Sequence, residues 1–129
     1  MPDKLNPDTA HWLWYAQEDL DSAILLTQKS PRNACLLSQQ SAEKALKSIH
    51  VFLNHSFPKS HDLDLIRNLL PDNWQKKIDF DNLSELTIWA VESRYPSYLP
   101  EATEEEAESS VRLAKSVLNC VTKVLFEDI

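Results

Sequence analysis

The chain has 129 residues, 43% of them hydrophobic and 26% charged, and a formal net charge of −7. That size and balance suit one globular domain, taken as residues 1–129; the acidity argues against broad electrostatic binding to nucleic acid, and no apolar run approaches the roughly 18 residues of a membrane span. Glycine is absent altogether, so the backbone cannot approach phosphates as Walker and dinucleotide loops do, and any nucleotide site must be built from side chains.

The N-terminus, MPDKLNPDTAHW, lacks the basic-then-apolar order of a signal peptide, which predicts a cytoplasmic protein. Pro7, Asp8 and Thr9 signal the start of a first helix, capped by Asp8 or Thr9, with Leu13, Ala16, Leu20, Ala23, Ile24 and Thr27 inward. Ser30 and Pro31 supply a cap and an N1 proline for a second helix that runs to about Asn54. Its inward stripe is Ala34, Cys35, Ser38, Ala42, Ala45, Leu46, Ile49, Phe52 and Leu53. The stretch HSFPKSHD is a loop, and Ser60 is placed to cap a short third helix that Pro71 and Asp72 terminate. A brief helical turn follows around residues 74–78.

Asp79 or Asp81 then opens a fourth helix with Leu83, Leu86, Thr87 and Ala90 inward, and Pro96 stops it near Tyr95. Thr103 and Glu106 form a capping box for a long last helix whose core stripe is Ala107, Val111, Ala114, Leu118, Val121 and Leu125. The predicted fold is all-α: an antiparallel up-and-down four-helix bundle with an additional short helix.

Cys35 and Cys120 fall among apolar residues, where cysteine acts as a small hydrophobe. Neither they nor His11, His50, His55 and His61 show a metal-ligand spacing, so no metal and no cofactor is expected. Three features bear on function. Gln40, Glu43, Lys44 and Lys47 share one face of helix two, opposite its core stripe. They read either as a solvated face or as one wall of an anion site. Leu36 and Leu37 make the helix apolar on more than one side, which predicts a second packing partner, either another helix or another subunit; with Trp12 and Trp14 they add apolar surface that predicts a homodimer. Arg94 follows the inward stripe Leu83, Thr87, Ala90, where a guanidinium needs a carboxylate such as Glu43 or a bound phosphate. In Lys59-Ser60-His61-Asp62 a titratable histidine meets a helix start.

The succession AQEDLDSAILL, CLLSQQSAEKALKSI, FPKSHDLDLIRNLL, ESRYP and a last helix beginning TEEEA resembles the HEPN family (higher eukaryotes and prokaryotes nucleotide-binding) over about residues 10–126. The resemblance implies a homodimer, binding of nucleotide or RNA, and pairing with a minimal nucleotidyltransferase protein in a toxin–antitoxin couple. Many members are metal-independent ribonucleases whose motif is an arginine, then four to six residues, then a histidine. Arg94 matches the arginine, yet no histidine occurs anywhere after His61. The resemblance therefore supports an anion site of Lys44, Lys47, His61, Arg94 and Tyr95, with Glu43 and Arg94 as a structural pair, more than it supports catalysis. The alternative is a ribonuclease that uses Arg94 with His61 as a non-standard histidine.

Overall fold

The computed structural model describes residues 5–92 and 101–128. Six helices occur among them, in the order α1 (Pro7–Leu26), α2 (Pro31–Phe52), α3 (Leu63–Asn68), α4 (Asp72–Lys77), α5 (Ser84–Glu92) and α6 (Glu104–Asp128). The all-α expectation holds, and no strand occurs among the described residues. None of these helices is long and apolar enough to cross a membrane. The predicted stop of the fourth helix near Tyr95 lies outside the described residues.

α1 and α2 are joined by the turn at residues 27–30 and pack side by side over much of their length. Small side chains permit this close approach: Ala16 and Ala23 on α1 and Ala42 and Ala45 on α2 are fully buried. The Ser41 hydroxyl, also buried, donates to the Ala16 carbonyl at 2.7 Å and straps the two helices together. α6 covers another side of α2, and α5 and α3 the rest. α2 is therefore the central element, with α1, α6, α5 and α3 packed around it, while Leu36 and Leu37 remain half-buried. The principal core runs from Leu20 and Leu46 through Ile66, Trp74 and Leu83 to Val121 and Leu125.

The helix ends follow local chemistry, with three corrections to the sequence reading. Asn6 caps α1, not Asp8 or Thr9: its side chain accepts from the Thr9 amide at 2.8 Å, which leaves Pro7 at N1 where a missing N–H costs nothing. Asp62 caps α3 in place of Ser60, accepting from the amides of Asp64 and Leu65, while Ser60 accepts from the Asp62 amide. α5 begins at Ser84, later than Asp79 or Asp81.

α2 ends without glycine. Asn54 takes φ 58°, the His55 amide reaches back to the His50 carbonyl at 2.8 Å, and the Asn54 amide bonds Val51 at 3.1 Å. This is a Schellman close with asparagine in the left-handed position. The Thr103–Glu106 capping box forms as predicted, at 2.9 and 3.0 Å.

Candidate functional site

The polar face of α2 is not a solvated one. Glu43 and Lys47 retain only 9% and 7% of their exposure, and Gln39 has none. The four-residue spacing lets Lys47 Nζ donate to Glu43 Oε2 at 2.9 Å, so both charges enter the protein already paired. The other carboxylate oxygen, Oε1, accepts from Gln39 Nε2 at 3.0 Å and lies 2.8 Å from His61 Nδ1. Gln39 Nε2 also donates to the His61 backbone carbonyl at 3.1 Å. Glu43 and Gln39 thus grip His61 by its ring and by its main chain at once.

Burial alone would push the Glu43 carboxyl up; the hydrogen bonds from Lys47, Gln39 and His61 outweigh it and hold the group below the usual carboxylate range. Glu43 is consequently an anion at neutral pH. A carboxylate can only accept, so His61 Nδ1 carries the proton that points at Glu43. The His61 side chain keeps 45% of its exposure.

The loop that carries His61 is pinned by aromatic contacts. Phe57 meets Trp12 of α1 edge-on at 5.8 Å, stands 5.7 Å from the His50 ring and receives the Lys47 ammonium at 5.6 Å from its centroid. His50 is fully buried and donates through Nε2 to the Ile66 carbonyl at 2.8 Å. Its Nδ1 then has no hydrogen-bond partner among the described residues. On the far side of His61 the Leu63 amide donates to the Thr87 hydroxyl at 3.1 Å, which ties α5 to the start of α3.

Of the residues singled out from the sequence, the structure brings Glu43, Lys47 and His61 together. Lys44 sits apart from them in an ion pair with Asp19 of α1. Gln40 is half-buried, and Gln39, one position earlier, takes the place expected of it. Neither lysine named for the anion site has charge to spare, since Lys44 is matched by Asp19 and Lys47 by Glu43. Glu43 is engaged by Lys47, His61 and Gln39; its predicted partner Arg94, together with Tyr95, lies outside the described residues. Sequence reasoning missed Gln39 and His50. The first stands four residues before Glu43, and the second four after Leu46 on the inward stripe. Among the described residues no group of three or more His, Cys, Asp or Glu side chains is gathered as metal ligands would be.

A family model for the HEPN domain matches residues 9–125. The chain belongs to the HEPN domain family. Solved structures agree: the crystal structure of TT1696 from Thermus thermophilus superposes with a TM-score of 0.77 at 25% identity, over 89% of this chain and 96% of that one. ST0689, an archaeal HEPN homologue, gives a TM-score of 0.69 at 26% identity, over 89% and 95% of the two chains. Comparison with curated proteins finds no match. In this HEPN chain the histidine gripped by α2 precedes Arg94 by thirty-three positions instead of following it.

Proposed function

We propose that this HEPN chain binds the phosphate of a nucleotide, or of an RNA end, beside His61, with Arg94 and Tyr95 completing the site. Lys47 acts through Glu43, which it helps to keep ionised behind His61, and Lys44, paired with Asp19, stands outside the site. The observation that supports the reading is His61 itself: an imidazole fixed at 2.8 Å by a buried carboxylate and still 45% exposed. Thr87 supports the part given to Arg94, because it binds the Leu63 amide two residues from His61 and stands seven positions before Arg94. A net charge of −7 favours a compact nucleotide over a long nucleic acid, whose many phosphates the rest of the surface repels.

In this reading the protein works in the cytoplasm as one half of a toxin–antitoxin pair with a minimal nucleotidyltransferase. It is a homodimer whose interface includes the apolar side chains left exposed at Leu65 on α3, at Leu69 that caps it, and at Ile88 on α5. Calorimetric titration of AMP and ATP into the full chain, alone and with that partner, tests the binding. His61→Ala and Arg94→Ala each weaken it by about tenfold, as expected for loss of one charge-assisted contact. Absence of binding by the wild type in both settings overturns the reading.

A second reading, a metal-independent ribonuclease, is favoured by the same Glu43–His61 pair, since a carboxylate-oriented imidazole is suited to take a proton from a ribose 2′-hydroxyl. Cleavage of RNA by the purified chain, abolished in His61→Ala, selects it over binding alone.

A further inference from the structure

α1 is apolar on two sides. Ala16, Leu20 and Ala23 face the core. Across the helix Trp14 is 58% exposed and Leu25 81%. These two are eleven positions, or three turns, apart, about 16 Å along the axis. Tyr15 and Ile24 flank them, each about half exposed. Trp14 meets Tyr15 at 5.4 Å and His11 stands 6.4 Å from Tyr15, which makes one end of the row an aromatic knob.

Between the anchors stand Glu18 and Asp21, both exposed. Asp21 takes a hydrogen bond from the neutral Gln17 amide at 2.9 Å. Among the described residues no cation pairs with either carboxylate, and α1 contains no lysine or arginine. Scattered exposed apolar residues need no explanation, but two ends of a helical row joined by uncompensated carboxylates form a patterned surface.

We propose that this face docks a basic amphipathic helix of a different polypeptide, its apolar side chains meeting Trp14 and Leu25 and its Lys or Arg meeting Glu18 and Asp21. Charge complementarity decides the occupant. A second copy of this chain that seated its Trp14 on Leu25 would have the twofold axis midway between Glu18 and Asp21. Each Glu18 would then face the other copy's Asp21, and four carboxylates would gather at the centre of the contact. Anionic lipid and nucleic acid meet the same repulsion. A cationic helix turns it into attraction, and helix-in-groove recognition supplies the apolar anchors.

The test uses two synthetic helical peptides with the same leucine stripe, one flanked by lysine and the other by glutamate, titrated calorimetrically into the full chain. The lysine peptide binds and the glutamate peptide does not. Leu25→Asp, and separately Glu18→Lys with Asp21→Lys, weaken the lysine peptide by about tenfold or more with an unchanged circular dichroism spectrum, since all three side chains are exposed. The proposal is overturned if the wild type ignores the lysine peptide, if both peptides bind alike, or if the variants bind as tightly as the wild type. It is equally overturned if sedimentation finds a wild-type dimer that Leu25→Asp dissociates, because the occupant is then a second copy.

Discussion

Replacing Glu43 by Gln removes one negative charge and almost no volume from the centre of the cluster. Lys47, whose side chain is 9% exposed, loses the counter-charge 2.9 Å away. His61 loses an ionised acceptor at 2.8 Å. Removing one member of a buried ion pair costs about 3–5 kcal/mol. The glutamine oxygen still accepts one hydrogen bond, and the Lys47 stem lets the ammonium move towards water, which lowers the expected cost to about 2–3 kcal/mol. In a chain of this length each kcal/mol moves the midpoint by about 3–5 °C, so Tm falls by roughly 6–15 °C. Thermal unfolding followed by circular dichroism at pH 7 reads this directly. Adding Lys47→Met removes the stranded cation as well and restores more than half of the loss. A single variant within about 2 °C of the wild type, or a double variant less stable than the single, refutes the claim that the pair is buried and mutually compensated. The acid side gives an independent check. The Glu43 carboxyl lies below its usual range in the folded chain, so the unfolded chain takes up the proton first, near pH 4.3. The stability Glu43 contributes is complete above that pH and is lost as pH falls towards the folded value, a decline that Glu43→Gln flattens.

Asn54→Ala lowers stability by about 1 kcal/mol in urea denaturation, because a Cβ without a polar side chain pays for the left-handed backbone, whereas Asn54→Gly leaves it unchanged or slightly higher. Burial, and secondarily the neighbouring His55, push the His50 pKa down against the opposing Ile66 carbonyl. The unfolded chain therefore protonates His50 first, and stability falls as pH drops below about 6.5; His50→Gln, which keeps a donor for Ile66, flattens the decline between about pH 7 and pH 5. Leu65→Asp with Leu69→Asp converts the dimer inferred above to a monomer in sedimentation without loss of helix, and a wild type that sediments as a monomer contradicts that dimer.

Helix order and most of the core stripes were legible because each depends on residues three or four apart; the turn expected around residues 74–78 is instead a sixth helix, α4. Ala16, Leu20 and Ala23 on α1, and Ala107, Ala114 and Val121 on α6, were assigned inward by period and are buried, whereas Ile24, assigned to the same α1 face as Ala23, is 47% exposed. The Thr103–Glu106 cap was equally local. Where two candidate caps stood close together, as Ser60 and Asp62 do, spacing did not choose between them; the choice fell to which side chain reaches the first free amides. The polar face of α2 was misjudged for another reason. A single inward stripe presumes a helix with one neighbour, and α2 has four. Glu43 and Lys47 can be buried there because their spacing lets them neutralise each other. The Glu43–His61 contact spans eighteen residues, and Gln39 joins it only because the loop folds back along α2. Both are products of the tertiary fold, which no periodicity encodes. The arginine half of the site lies outside the described residues, and its role rests on sequence order.

In the proposed site His61 is the group that faces the phosphate. The most direct test is to follow the imidazole signals of all four histidines by heteronuclear NMR while AMP is added to the full chain, alone and with the proposed nucleotidyltransferase partner. The account predicts saturable movement of the His61 signals, with those of exposed His11 on α1 unchanged, and loss of the response in Arg94→Ala. Movement confined to His11 or His55, or no movement at saturating AMP, contradicts it.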